Sequence, residues 1–311
     1  MEINERAVSR LALGTAVYRY EREGDAFALM DAYRSCGGNI FDTARVYGES
    51  ESVIGRYLGS RGCRGDVFIA TKGGHYDLKT REKRLNREAI FSDVEVSLRE
   101  LGIDYADIYF LHRDDEEIPV AEIMGILSDL VREGKILSIG VSNWTVERIA
   151  QANKFALENG LPGIIASQIK HSAAVTVSES DPTMLSLDEP SRNFYEKVKM
   201  PIFAYTSQAK GLFSKLDRFG VDGISEGLRR EFICDETLRR YEVMREISLE
   251  IGRPIGQVAL ATLLCDPRLE IIPIIGGKTC EQIEDSFAAL DIKLSREQIE
   301  KIIKNSNKRE V

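Results

Sequence analysis

Short runs of consecutive apolar, partly β-branched residues alternate along this chain with longer segments whose apolar positions recur at helical spacing. The first pattern is that of strands buried on both faces, and the second is that of helices burying one stripe. The runs fall at 11–17, 40–43, 67–71, 107–112, 136–141, 163–169, 202–205 and 271–275. Between them the spacing predicts helices over 25–35, from residue 50 to a close at Gly59 and Gly62, over 86–101, over 120–132, from just after 142–143, and over 191–198. Two more, 236–250 and 255–264, precede the last strand, and 281–290 and 295–303 follow it. The clearest is 86–101, with Ile90, Val94, Leu98 and Leu101 on one face and Gly102 as its stop.

Eight strands, each followed by helix, predict one closed parallel barrel, the TIM (β/α)8 class of α/β fold, spanning 1–311 as a single domain. An open doubly wound sheet would carry Gly-x-Gly-x-x-Gly after its first strand, and Gly14-Thr15-Ala16-Val17 lacks the partner glycines. No cluster of Pro, Gly or Ser marks a linker. Two stretches read as loops: 172–190, rich in Ser, Asp, Thr and Pro, and 207–234, whose length suits a cover for a ligand.

Composition narrows the function classes. A net charge of −8, with Lys and Arg interspersed among Asp and Glu, argues against nucleic acid as a partner. No apolar stretch is long enough to span a membrane, and the N-terminus has no apolar signal core, so the cytoplasm is the expected compartment. Five cysteines without Cys-x-x-Cys spacing read as reduced thiols, and three histidines outside any ligand spacing predict no metal centre.

A barrel of this class keeps its chemistry just past the C-terminal ends of its strands. Three successive runs deliver polar groups there: Asp42 and Tyr47, then Lys72, then His112. Singly, Asp42, Tyr47 and His112 each have an ordinary reading, as a turn acceptor, a packing aromatic and a satisfied core histidine. Their flanks are more specific. Phe-Asp-Thr-Ala-Arg-Val-Tyr-Gly (41–48), Ala-Thr-Lys-Gly-Gly (70–74) and Asp-Ile-Tyr-Phe-Leu-His (107–112) are followed by Gly-Lys-Ile-Leu-Ser-Ile-Gly-Val-Ser-Asn-Trp (134–144) and Ser167-Gln168. Ala204-Tyr205-Thr206-Ser207 and Pro273-Ile274-Ile275-Gly276-Gly277-Lys278 complete the series. In this order, across nearly the whole chain, they resemble the signatures of the aldo-keto reductase superfamily.

That resemblance implies NADPH-dependent reduction of an aldehyde or ketone to an alcohol. Tyr47 would be the general acid. A phenol with a pKa of about 10 needs a neighbouring cation to bring it down, which Lys72 would supply, with Asp42 holding Lys72 and His112 placing the carbonyl. Ser142, Asn143 and Gln168 would bind the nicotinamide carboxamide and Tyr205 would stack on its ring; a helix N-cap is the local alternative for Ser142 and Asn143. Thr206, Ser207, Lys210 and Gly211 would wrap the pyrophosphate. Gly276, Gly277 and Lys278, with Gln282 and Ser286, would meet the adenosine phosphate. Many members carry an Arg or Lys pair in this last stretch, whereas here Lys278 is followed by Gln282 and by Ser286 in place of Asn; NADP(H) is the expected cofactor and NAD(H) the alternative. The substrate would be a small-molecule carbonyl walled by Tyr18, Tyr20, His75, Trp144 and His171. Relative to the family, part of the N-terminal hairpin under the barrel and most of the C-terminal tail are expected to be missing. Two other functions stay open: a catalytically idle NADP-binding regulatory subunit, and a Schiff-base lyase with Lys72 as nucleophile.

Overall fold

The computed structural model describes residues 2–3, 5–179 and 181–303. A hairpin of β1 (Glu2–Ile3) and β2 (Arg6–Ala7) comes first. Strand and helix then alternate: β3 (Ala12–Gly14), α1 (Glu23–Ser35), β4 (Ile40–Asp42), α2 (Ser50–Arg61), β5 (Phe68–Gly73), α3 (Arg87–Leu101), β6 (Ile108–Leu111) and α4 (Val120–Arg132). The second half continues with β7 (Ile139–Ser142), α5 (Val146–Glu158), β8 (Ile164–Lys170), α6 (Glu189–Val198) and β9 (Ile202–Tyr205). Helices α7 (Leu212–Phe219), α8 (Glu226–Phe232), α9 (Asp235–Ile251) and α10 (Ile255–Leu264) precede β10 (Ile271–Ile275), and α11 (Cys280–Ala288) and α12 (Arg296–Ile303) follow it. Strands β3 to β10 pair in order, all parallel, and β10 closes on β3 to make the expected eight-stranded barrel with helices around it.

The unbroken apolar runs follow from this closure, because each strand packs inward on the barrel interior and outward on the helices. Inside, Ala12, Ile40, Phe68, Ile108, Phe110, Phe203 and Ile272 form one cluster. Gly140 makes room for it: a methyl there would run into the Phe110 ring, which stands edge-on to Phe203 at 5.3 Å. From below, Ile3 and Val8 complete the same cluster. The hairpin expected to be incomplete is therefore present in short form, plugging the barrel. Above the cluster the register brings polar residues level at the C-terminal rim, with Asp42 beside Gly14 and Ala70, and Ser142 beside Gln168.

Three local expectations change. The span 207–234 is not a loop, because Leu212, Phe213 and Leu216 bury one face of α7, and Leu228 and Phe232 do so in α8. These helices are short, α7 lies between Gly211 and Gly220, and α8 carries Gly227 within it, so their periodicity is hard to see in sequence. Helix α2 runs through Gly59 and stops at Gly62, whose φ of 58° ends it in the left-handed conformation. The N-cap of α5 is Thr145, which accepts from Arg148 N at 3.3 Å, and not Ser142 or Asn143. Among the described residues no helix is long and apolar enough to cross a membrane.

Candidate active site

A cavity of about 560 Å³ opens at the C-terminal mouth of the barrel, lined in part by Asp42, Tyr47, His112 and Gln168. Lys72 is fully buried beside it. Asp42 ends β4 and Lys72 lies near the end of the adjacent β5, so their side chains meet at the rim. Lys72 Nζ donates to Asp42 Oδ2 at 2.9 Å and to the Thr43 carbonyl at 2.6 Å. The other oxygen of Asp42 accepts from Gln168 Nε2 at 2.8 Å. Tyr47 closes a single 3-10 turn, Arg45–Tyr47, with its ring centre 4.8 Å from the Lys72 ammonium. The His112 ring stands edge-on to Tyr47 at 5.7 Å and to His75 at 4.8 Å.

The electrostatics follow from how little water reaches these groups. Burial by itself would push the Lys72 ammonium down, but Asp42 and then Tyr47 outweigh it and hold the lysine above its ordinary pKa. An ammonium kept charged and bonded to two oxygens is not a nucleophile, which weighs against Schiff-base chemistry. For Tyr47, burial raises the phenol by more than Lys72 lowers it. The expectation of a lowered phenol is corrected accordingly: Lys72 limits the rise without reversing it, and Tyr47 is a protonated donor at neutral pH. His112 is pushed well below the usual imidazole range by burial, with Lys72, Arg113 and His75 adding to the effect. Its Nδ1 is buried without a partner among the described residues. An unmatched N–H there would cost more than an unmatched lone pair, so the proton of the neutral ring belongs on Nε2. A phenol and an imidazole N–H on one wall can bind a carbonyl oxygen and take up the charge it develops.

The sequence model of the aldo/keto reductase family matches residues 10–306. The chain belongs to that family. It is an oxidoreductase, and its relatives include enzymes named as reductases. It is 27% identical over 301 residues to the aldo-keto reductase str7 of Strobilurus tenacellus, covering 94% of this chain and 84% of the relative. It is 29% identical over 297 residues to norsolorinic acid reductase B of Dothistroma septosporum, covering 89% of this chain and 71% of that protein. A probable voltage-gated potassium channel subunit beta of Oryza sativa subsp. japonica is 27% identical over 300 residues, at 89% and 86% coverage.

In this aldo/keto reductase the positions expected to meet a nicotinamide nucleotide fall into three groups. Ser142, Asn143, Gln168 and Tyr205 share the cavity wall. Asn143 accepts from the Tyr205 hydroxyl at 2.8 Å and from Leu185 N at 3.0 Å, and donates to Ser142 Oγ at 3.0 Å. These side chains are thus tied to one another and to the segment after β8. In the second group, Thr206 and Lys210 line the cavity, whereas Ser207 is buried and donates to the Ile274 carbonyl at 2.6 Å. Gly211 leads into α7. Thr206, Ala209 and Lys210 all have positive φ without being glycine, the kind of strain that gathers in ligand-binding turns. The third group surrounds the start of α11, outside the cavity. Lys278 N donates to Gln282 Oε1 at 2.7 Å, and Gln208 bridges Gly276 N and Ser286 Oγ at 3.5 and 3.0 Å, with Gly277 between.

The expected substrate walls are largely corrected. His75 lines the cavity, but Tyr18 is buried among α1 and α2 residues such as Met30 and Ile54, and Trp144 is buried with Nε1 donating to the Arg113 carbonyl at 3.2 Å. Tyr20 faces outward beneath Arg56, and His171 lies off the cavity. A position after a strand end does not fix which way a side chain turns, and Tyr18 and Trp144 fill the space between barrel and helices. Arg113, Lys170, Met184, Val46, Leu78 and Glu231 line the cavity instead. Lys170 was readable, since two residues beyond Gln168 in a strand is the same face. Glu231 gave no local signal; α8 carries it to Lys170 and Lys210, at 2.7 and 2.5 Å, and Glu179 closes the group on Lys170 at 2.8 Å.

Proposed function

We propose that this oxidoreductase reduces an aldehyde or ketone with NADPH, using Tyr47 as the proton donor. The observation that carries the reading is the convergence of a protonated Tyr47 and a neutral His112 on the cavity wall, with a charged Lys72 buried 4.8 Å behind the Tyr47 ring. The nucleotide, when bound, supplies the hydride. Tyr47 and His112 Nε2 hold the carbonyl oxygen, and Tyr47 gives its proton as negative charge develops there. Lys72 stabilises the phenolate left behind, and Asp42 keeps Lys72 in place.

The chain suits the nucleotide at three points. The amide and hydroxyl groups of Ser142, Asn143 and Gln168 match a carboxamide, and Tyr205 offers a half-buried ring. The left-handed turn at 206–211 with Lys210 favours a diphosphate, as does the start of α11 with Lys278 for the adenosine phosphate. Choice of NADPH over NADH rests on exposed Lys278.

The test is NADPH oxidation by the purified protein with a panel of aldehydes. Turnover is expected in the wild type, and Tyr47→Phe should lower kcat by about 10² to 10⁴ while leaving nucleotide affinity within a few-fold. Full activity in that variant would remove the tyrosine from the mechanism. Lys278→Ala should weaken NADPH about tenfold to hundredfold and spare NADH; equal losses would withdraw the NADP assignment. The likeness to a potassium channel subunit beta supports a second reading, a nucleotide-binding subunit without turnover. NADPH bound but never oxidised with any carbonyl would favour it.

A further inference from the structure

Arg113 follows His112 and lines the same cavity, yet it is nine-tenths buried. A guanidinium carries five N–H donors. Among the described residues, its side chain makes one contact within hydrogen-bonding distance, from Nη1 to the His112 carbonyl at 2.8 Å. Among the same residues Nε is buried without a partner. The facing carboxylate, Asp181, stands 3.6 Å from Nη2, beyond a hydrogen bond. Asp181 is already served by others: the Tyr76 hydroxyl donates to Oδ2, and Thr183 N and Oγ1 donate to Oδ1 at 2.9 and 2.7 Å. It balances the charge of Arg113 without filling the fork.

The other cations at this end of the barrel are differently placed. Lys72 is committed to Asp42, and Lys170 to Glu179 and Glu231. Burying a guanidinium with most of its donors unspent is costly unless an anion arrives to meet them. The wall beside His112 is where the rest of a carbonyl compound held by Tyr47 and His112 must lie. We propose that Arg113 binds a carboxylate on the substrate, so that the preferred substrate is an oxo acid with its carboxylate a few atoms from the carbonyl. The planar fork suits a carboxylate in a way that no neutral substituent matches. The inference rests on the reductase reading above and deepens it. Reduction leaves the carboxylate unchanged: hydride from NADPH goes to the carbonyl carbon, the proton from Tyr47 to its oxygen.

The test compares kcat/KM for 4-formylbenzoate with that for its methyl ester, and for 4-oxobutanoate with its methyl ester, using the full chain and NADPH. The acids should be preferred by about tenfold to hundredfold, mainly through KM. Arg113→Met should collapse the acid-to-ester ratio toward unity. Asp181→Asn, which removes the competing carboxylate, should raise the ratio, and this variant decides the matter should Arg113→Met fail to fold. Esters used as well as acids by the wild type, or a ratio that survives Arg113→Met or fails to rise in Asp181→Asn, would overturn the assignment. If neutral and charged carbonyls alike are left unreduced, the reductase reading itself falls, and this inference with it.

Discussion

Lys72 has no contact with water and two oxygen partners, so its removal is felt in both chemistry and stability. Lys72→Met leaves Asp42 buried with Gln168 as its remaining side-chain partner, and breaking a buried pair in this way costs roughly 3–5 kcal/mol. Denaturant unfolding should register that loss, and adding Asp42→Asn should recover part of it. The catalytic consequence has a definite sign. Burial raises the Tyr47 phenol and Lys72 holds it back, so the variant's phenol rises further. Alcohol oxidation, which needs the phenolate, should then reach its plateau at higher pH than in the wild type. An alkaline limb that does not move would mean that Lys72 does not act on Tyr47. At this scale the sequence disclosed the residue types and their strand-end positions. It could not disclose the direction of the Tyr47 shift, which depends on how completely the ring is dried.

Among elements, helix α2 makes a paired test of close packing. A methyl on Gly55 would collide with the backbone carbonyls of Glu100 and Leu101 at the end of α3, whereas one on Gly59 meets nothing. Gly55→Ala should therefore destabilise the fold by about 1–3 kcal/mol. Gly59→Ala should stabilise it by roughly 0.5–1 kcal/mol, as expected in a helix without a clash. Equal effects in thermal or denaturant unfolding would contradict the α2–α3 contact. The sequence shows two glycines four residues apart with nothing to tell them apart. The same limit hid α7 and α8: their apolar positions are legible once the helices are known, but glycines at 220, 223 and 227 break the pattern. By contrast 86–101 was legible because its stripe is long and both its ends are capped, by Asn86 and Gly102.

For the whole molecule, the acid side of the stability curve should carry a histidine signature. All three imidazoles lie below their ordinary value. His171 is pushed down to about 3, by burial first and by Arg192 next. The unfolded chain takes up that proton below pH 6.5 while the folded chain resists until about 3, so stability falls as pH falls through this window. The slope from His171 is at most about 1.4 kcal/mol per pH unit. His171→Gln should flatten the dependence between pH 6 and 4 by that order in urea unfolding, and an unchanged slope would place the imidazole in water. The sequence by itself determined the barrel, because runs buried on both faces alternating with amphipathic helices have this closed solution, and strand ends of the barrel are where Asp42, Lys72 and His112 must gather. Only the tertiary structure decided which neighbours share the cavity. Arg113, Lys170 and Glu231 meet there because closure and the placement of α8 bring distant segments together, while Tyr18 and Trp144 turn into the core where their rings displace more water than a cavity wall would allow.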